Sequence, residues 1–212
     1  PMMQINTVAA GGGSILSYKD GRFQVGPESA GAIPGPASYG RGGPLTVTDC
    51  NVLLGKLNPE FFPKVFGKTS DQPLNFEIVK KKFLDLSEKI SNEKNEPMMD
   101  IFKMAEGFLK IAVENMANAI KKISIQKGYD VTNYMLNCFG GAGGQHACNV
   151  ADSLGISNVM IHPYAGVLSA YGMGLAEIRS IREGHFEKNI TNISDAKNLI
   201  EKLSSQAKKD LK

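Results

Sequence analysis

Between Leu136 and Ile156 the chain reads LNCFGGAGGQHACNVADSLGI, with glycine at four of the five positions 140–144. Glycine inside continuing regular structure costs roughly 0.5–1 kcal/mol relative to alanine, so a cluster this dense marks a place where bare backbone is needed. An apolar run, YMLNCF, precedes it and an amphipathic stretch, GQHACNVADSLG, follows. The order predicted is therefore strand, turn, helix. A turn at a helix N-terminus collects free N–H groups and the positive end of the helix dipole, which suits a phosphate. The same sequence also serves a plain turn that needs positive φ angles, and both readings stand.

The alternation continues downstream. NVMIH reads as a second strand, AGVLSAYGMGLAEI as a helix of small residues suited to close packing, and SIREGHFEKNI as an extended strand. SDAKNLIEKLSSQAKKD reads as a terminal amphipathic helix capped by Ser194 or Asp195. Strands alternating with helices argue for α/β layers. Upstream, SILSYKDGRFQVG places two alternating runs around Asp20-Gly21, a hairpin signature. The Gly- and Pro-dense stretch from Gly26 to Pro44 is too apolar for a solvated linker and reads as an ordered loop. In LTVTDCNVLLGKL, Thr48 or Asp49 is expected to cap a helix that turns Val52, Leu53, Leu54 and Leu57 inward.

Phe76, Val79, Phe83, Leu86 and Ile90 recur at helical spacing. Beyond the polar break SNEKNEP, a longer stripe runs from Met98, Ile101 and Phe102 through Phe108 and Val113 to Ile123. Glu106 and Lys110 form an i,i+4 pair on its wet side, and Gly128 is its expected C-cap. These patterns divide the chain into a strand- and loop-rich segment 1–73, a helical insertion 74–128, an α/β segment 129–190 and a terminal helix 191–212.

Charge and cysteine usage exclude some function classes. A net charge of +3 with no basic stripe argues against nucleic acid, and no apolar run reaches the roughly eighteen residues of a membrane span. Three cysteines, Cys50, Cys138 and Cys148, without CxxC spacing fit a reducing compartment, so a cytoplasmic location is expected. No basic-then-apolar leader opens the chain, and the sequons at Asn189 and Asn192 read as chance matches. Opening on Pro1 rather than methionine, the chain is expected to be a piece of something longer.

Two familiar phosphate motifs fail. G-x-G-x-x-G begins at Gly141, but His146 stands at the third glycine and Ile161-His162-Pro163 occupies the place of the acidic residue. Gly67-Lys68-Thr69 ends like a P-loop, yet Phe62 replaces its first glycine. A third possibility is the adenosine-side loop of actin-like ATPases. FGGAGGQHA, together with AAGGGSI, VGPESAGAIPGPASYGRGGPLTVTDCNVLLGKL and HPYAGVLSAYGMGLAE, resembles the hydantoinase A and 5-oxoprolinase family, nearest its ATP-dependent 5-oxoprolinase branch. The resemblance extends to about Ile181.

That resemblance implies an actin-like, ribonuclease H-like ATPase lobe with inserted long helices, incomplete because no D-x-G-[GT] phosphate loop occurs in the chain. It implies ATP with Mg²⁺ as cofactors and a small cyclic amide as substrate, 5-oxoproline being opened to glutamate through carbonyl phosphorylation. Hydantoin hydrolysis, an acetone-carboxylase-type subunit and a non-catalytic binding module are the alternatives. The remainder of the polypeptide or a partner subunit, and a homo-oligomeric complete protein, are implied as well; the chain alone is expected not to turn over ATP.

Gly140, Gly141, Ala142, Gly143 and Gly144 are the implied nucleotide-proximal backbone, and a branched side chain at Gly143 is expected to block nucleotide while sparing the fold. Gly11, Gly12 and Gly13 form either a second anion-facing loop or a tight β connection. Asp49 is either a helix-start residue or a metal- or water-positioning one, and His146 either a substrate or metal contact or a structural imidazole. Glu28 and Arg41 are candidate substrate contacts, or an ordinary loop carboxylate and surface cation. A zinc site could draw on Asp49, His146 and Cys148, though nothing in their spacing compels one. Ser38 stands where relatives commonly show cysteine.

Overall fold

In the computed structural model, which describes residues 5–187 and 193–211, Asp20 and Gly21 take left-handed φ angles of 50° and 73°. That backbone matches the twist of a two-residue hairpin, and it joins β1 (Ser14–Lys19) to β2 (Arg22–Ser29) in antiparallel pairing. Phe23 of β2 packs edge-on against Phe108, 4.8 Å between ring centroids, so the hairpin lies on the helical layer. The Gly/Pro stretch is ordered as expected and includes a 3₁₀ turn at Ala37–Tyr39.

Helix α1 (Val47–Leu53) starts earlier than Thr48 or Asp49 capping predicted. Thr46 is the N-cap; Asp49, three residues on, reaches back to the Thr46 N–H at 2.8 Å and closes a capping box. Val47, Cys50, Val52 and Leu53 are buried, and so are the polar Asp49 and Asn51. A helix buried on every side has no free polar face, so each polar group on it needs a protein partner.

Helix α2 (Phe76–Lys94) is capped by the Asn75 side chain and runs through half of the predicted break before Asn95 ends it in a left-handed turn. Helix α3 (Ile101–Gln126) is capped by Asp100, whose carboxylate accepts from the N–H groups of Phe102 and Lys103. This cap corrects the expected stripe at its start: Met98 falls outside the helix and Phe102 faces solvent. Gly128 follows the helix with φ 73°, as a C-terminal glycine should. Among the described residues Glu106 and Lys110 make no ion pair.

One face of α3 supplies two cores. Met104, Phe108 and Ala112 pack with Val79 and Phe83 of α2, Val52 of α1 and Val25 of the hairpin. One turn on, Val113 and Ala117 pack with Val150, Ala151 and Leu154. Phe83 and Phe108 are fully buried, each contributing about 1.5–3 kcal/mol by area. The second core belongs to a βαβ unit: β3 (Leu136–Cys138), α4 (Ala147–Leu154) and β4 (Val159–Ile161), with β3 and β4 parallel. Gly155, at φ 71°, ends α4.

The chain divides into two compact units, Pro1–Gly166 and Val167–Lys212. The second holds α5 (Leu168–Leu175) and α6 (Ile193–Asp210). None of the α5 residues is buried within this chain. The strand expected over SIREGHFEKNI is absent from its described residues, 180–187. They find side-chain partners instead of a ladder: Ser180 donates to Asp210 at 3.0 Å, and Arg182 pairs with the same carboxylate. Because α6 begins at Ile193, Ser194 lies within the helix rather than capping it; the Asp195 side chain and the sequon residues Asn189 and Asn192 lie outside the described residues.

Candidate functional site

Three loops converge on the short helix α1. The first is the Gly11–Gly13 turn, where the Gly12 carbonyl accepts from the Thr48 N–H at 2.9 Å. A Cβ on Gly12 would come within 2.7 Å of the Thr48 hydroxyl, so bare backbone is needed for this approach. The Gly13 carbonyl accepts from the Ala30 N–H, which ties the turn to the end of β2.

The second is the Gly/Pro loop, tied down by Asp49. Its carboxylate accepts from the N–H of Ser38 at 2.8 Å and of Ala37 at 3.0 Å, as well as from the N–H and hydroxyl of Thr46. Burial pushes the Asp49 pKa upward, and the Ser38 and Thr46 donors pull against it. With no exposed surface and four donors on two oxygens, Asp49 is accounted for as a tie between loop and helix. Arg41 is similarly occupied: its guanidinium donates to the carbonyls of Gly67 and Val65 and to Ser70. Glu28 is exposed on β2, and Ser38 is fully buried.

The third is the glycine loop. Gly140 takes φ 91° and donates to the Ala165 carbonyl at 2.8 Å, which fixes the exit of β3. Gly143 then approaches β3 so closely that a Cβ would sit 2.7 Å from Cys138 Sγ. A branched residue at Gly143 would have to displace that thiol even without a ligand, although its φ is not left-handed. Gly141 differs in kind. Space around it is open, its φ is not left-handed, and among the described residues neither its N–H nor that of Ala142 has an acceptor. Gly144 has only ordinary contact with Ile161.

Asn51 joins this loop to α1 across ninety-four positions, its amide donating to Gln145 Oε1 at 2.7 Å and lying 3.4 Å from His146 Nε2. Through the Thr48 N–H and the Asn51 side chain, α1 is tied to both glycine turns. His146 is 7% exposed, and a cavity of about 210 Å³ behind the loop is walled by His146, Cys138, Phe139, Met116 and Ile120. Among the described residues no group of three His, Cys, Asp or Glu side chains could hold a metal, and all three cysteines are free.

Sequence reasoning missed Asn51, Gln145 and Thr46. Asn51 could have been found as the polar residue in an otherwise apolar helical run, NVLL, where burial without a partner is costly.

Burial, and secondarily the Lys56 charge, push the His146 pKa below the ordinary imidazole value of 6.5. The unfolded chain therefore binds this proton more readily than the folded one. Its contribution to stability is fully present above the ordinary value and is lost as pH falls through the folded pKa. His146→Gln is expected to flatten the fall in stability that sets in as pH drops below the ordinary imidazole value. Urea denaturation at several pH values checks this; equal slopes in both proteins would contradict it.

The sequence matches the hydantoinase/oxoprolinase profile over residues 1–182. The chain belongs to that family. The hydantoinase/oxoprolinase likeness extends to a Saccharomyces cerevisiae 5-oxoprolinase, 52% identical over 178 residues, covering 84% of this chain and 14% of that protein. Among solved structures, the ATP-dependent caprolactamase of Pseudomonas jessenii superposes with a TM-score of 0.70 at 31% identity, covering 99% of this chain and 30% of the other. A nucleotide-free acetone carboxylase gives 0.74 at 21% identity, over 95% and 29% of the two chains, a likeness of fold alone. The chain thus spans about one-seventh of the length of the yeast relative.

Proposed function

We propose that this chain is the nucleotide-side part of an ATP-dependent cyclic amide hydrolase, a 5-oxoprolinase built on an actin-like ATPase lobe. One observation carries the reading: among the described residues the glycine loop, braced by Asn51 and Gly140, leaves the Gly141 and Ala142 N–H groups without an acceptor and the space around Gly141 open. Such donors beside the start of α4 fit a nucleotide phosphate or ribose. Similarity to an ATP-dependent caprolactamase supports the same reading.

ATP, when bound, would supply a phosphoryl group for the lactam carbonyl oxygen, which would make the poorly electrophilic carbon open to attack by water. The chain's own part is positioning. Gly141 and Ala142 would hold the nucleotide, Gly140 and Gly143 hold the loop's shape, and the cavity lined by Met116, Ile120 and Phe139 would offer an apolar surface for a base. His146, kept neutral, offers an imidazole N–H rather than a charge. The Gly11–Gly13 turn positions α1, and Asp49 anchors the Gly/Pro loop that carries Arg41. Mg²⁺ would neutralise phosphate charge, with ligands supplied outside these residues; the chain by itself turns over no ATP. No described helix is long and apolar enough to cross a membrane, and the three free cysteines suit a reducing, cytoplasmic setting.

The caprolactamase likeness favours a second reading in which the ring is larger. Both are tested by supplying the complete polypeptide with ATP, a divalent cation and, in turn, 5-oxoproline, hydantoin and caprolactam. ATP consumption coupled to glutamate release is the expected result with 5-oxoproline. Ring opening without nucleotide would overturn the proposal, and coupling only with another ring would select the second reading.

A further inference from the structure

Asn51 has one NH₂ group with two hydrogens, and the loop sets a Gln145 carbonyl oxygen and an imidazole nitrogen against it. One hydrogen goes to Gln145 Oε1 at 2.7 Å, and the other faces His146 Nε2 at 3.4 Å. An imidazole nitrogen that faces a donor must be the unprotonated one, so the ring's hydrogen belongs on Nδ1. We propose that Asn51 is a positioning residue that sets His146 as the neutral Nδ1–H tautomer and locks the end of the glycine loop to α1.

The inference rests on the reading of this loop as a ligand loop, and it deepens the part played by His146. Asn51 is fully buried in a helix whose start is fixed by Thr46 and Asp49, so its amide has little freedom to follow the ring. His146 Nδ1 and Asn51 Oδ1 are buried and have no hydrogen-bond partner in the protein among the described residues. Unpaired buried polar atoms of this kind are rare and cluster where a protein serves a ligand or an ordered water. With the tautomer set, they are one donor and one acceptor. Protonating Nε2 would turn two donors on each other, so the arrangement opposes the imidazolium. Among the described residues, the titratable groups near the ring are Lys56, whose charge acts in the same direction, and the Cys138 thiol across the cavity; the rest of the lining, Met116, Ile120 and Val150 among it, carries no charge.

The test is ¹⁵N-edited NMR of the imidazole in this chain, followed with pH, in the wild type, Asn51→Ala and Asn51→Asp. The wild type should show His146 neutral at pH 7 with its hydrogen on Nδ1. Asn51→Asp places a carboxylate at Nε2 and should move the hydrogen there, raising the His146 pKa by about one unit or more. Asn51→Ala should lose the tautomer preference. A purely structural Asn51 would lower thermal stability in both variants and leave the tautomer where it was, which overturns the proposal, as does a wild-type hydrogen on Nε2. These readouts need no nucleotide, so they fail or succeed separately from the ATP assay; should Asn51→Ala not fold, the wild type and Asn51→Asp still decide.

Discussion

Asp49→Ala is expected to lower the unfolding free energy by about 3 kcal/mol, a large part of what a domain of this size has to lose. Its carboxylate is the acceptor for the Ser38 and Thr46 N–H groups, and both are buried. Each N–H left unpaired costs about 1–3 kcal/mol, and the reciprocal arm of the helix cap goes with them. Two things soften the loss. The Ala37 N–H keeps a second acceptor in the Pro44 carbonyl at 2.9 Å, and removing a desolvated carboxylate relieves the burial that raises its pKa. Asn in its place retains the volume but turns an NH₂ toward N–H donors, so Asp49→Asn should be destabilised too. Equilibrium denaturation reads both. A change below about 1 kcal/mol in Asp49→Ala would show that α1 does not depend on this tie.

Much of the fold is legible in the sequence wherever local chemistry decides it. Asp20-Gly21 gives the hairpin, the Phe76-to-Ile90 spacing gives α2, and the run of strand, glycine turn and helix gives the βαβ unit, because each depends on neighbours along the chain. Misses fall mostly at helix starts. α1 begins at Val47 with Thr46 as its cap, because Thr46 and Asp49 close a reciprocal T-x-x-D box one step earlier than a cap at Thr48 or Asp49 would give. α3 starts where Asp100 caps it, which leaves Met98 outside the helix and Phe102 facing solvent, and the described residues 180–187 form no strand.

At the candidate site, the glycines were legible as backbone in demand, but not which demand each one meets. Gly12 and Gly143 answer to close packing, Gly140 to a positive φ, and Gly141 to neither. That difference depends on Thr48 and Cys138 as neighbours, which spacing does not reveal. Asn51 was hidden for the same reason, since its partners lie at Gln145 and His146.

Gly141→Val is expected to weaken ATP binding by the complete enzyme about a hundredfold, close to 2.8 kcal/mol, while leaving the fold intact. Space for the new side chain is open in the free protein and the backbone there is not left-handed, so stability has no reason to fall. Against a nucleotide held by the Gly141 and Ala142 N–H groups, the branched side chain would occupy the ligand's place. Gly143→Val is the contrasting case, because its Cβ meets Cys138 Sγ with or without ligand and should lower the melting temperature.

The decisive measurement is therefore the ATP dissociation constant and the melting temperature of Gly141→Val, taken on one preparation beside the wild type. A nucleotide loop predicts an unchanged melting temperature with ATP binding largely lost. An unchanged melting temperature with wild-type affinity would contradict it, and would leave the glycine cluster as a turn and nothing more.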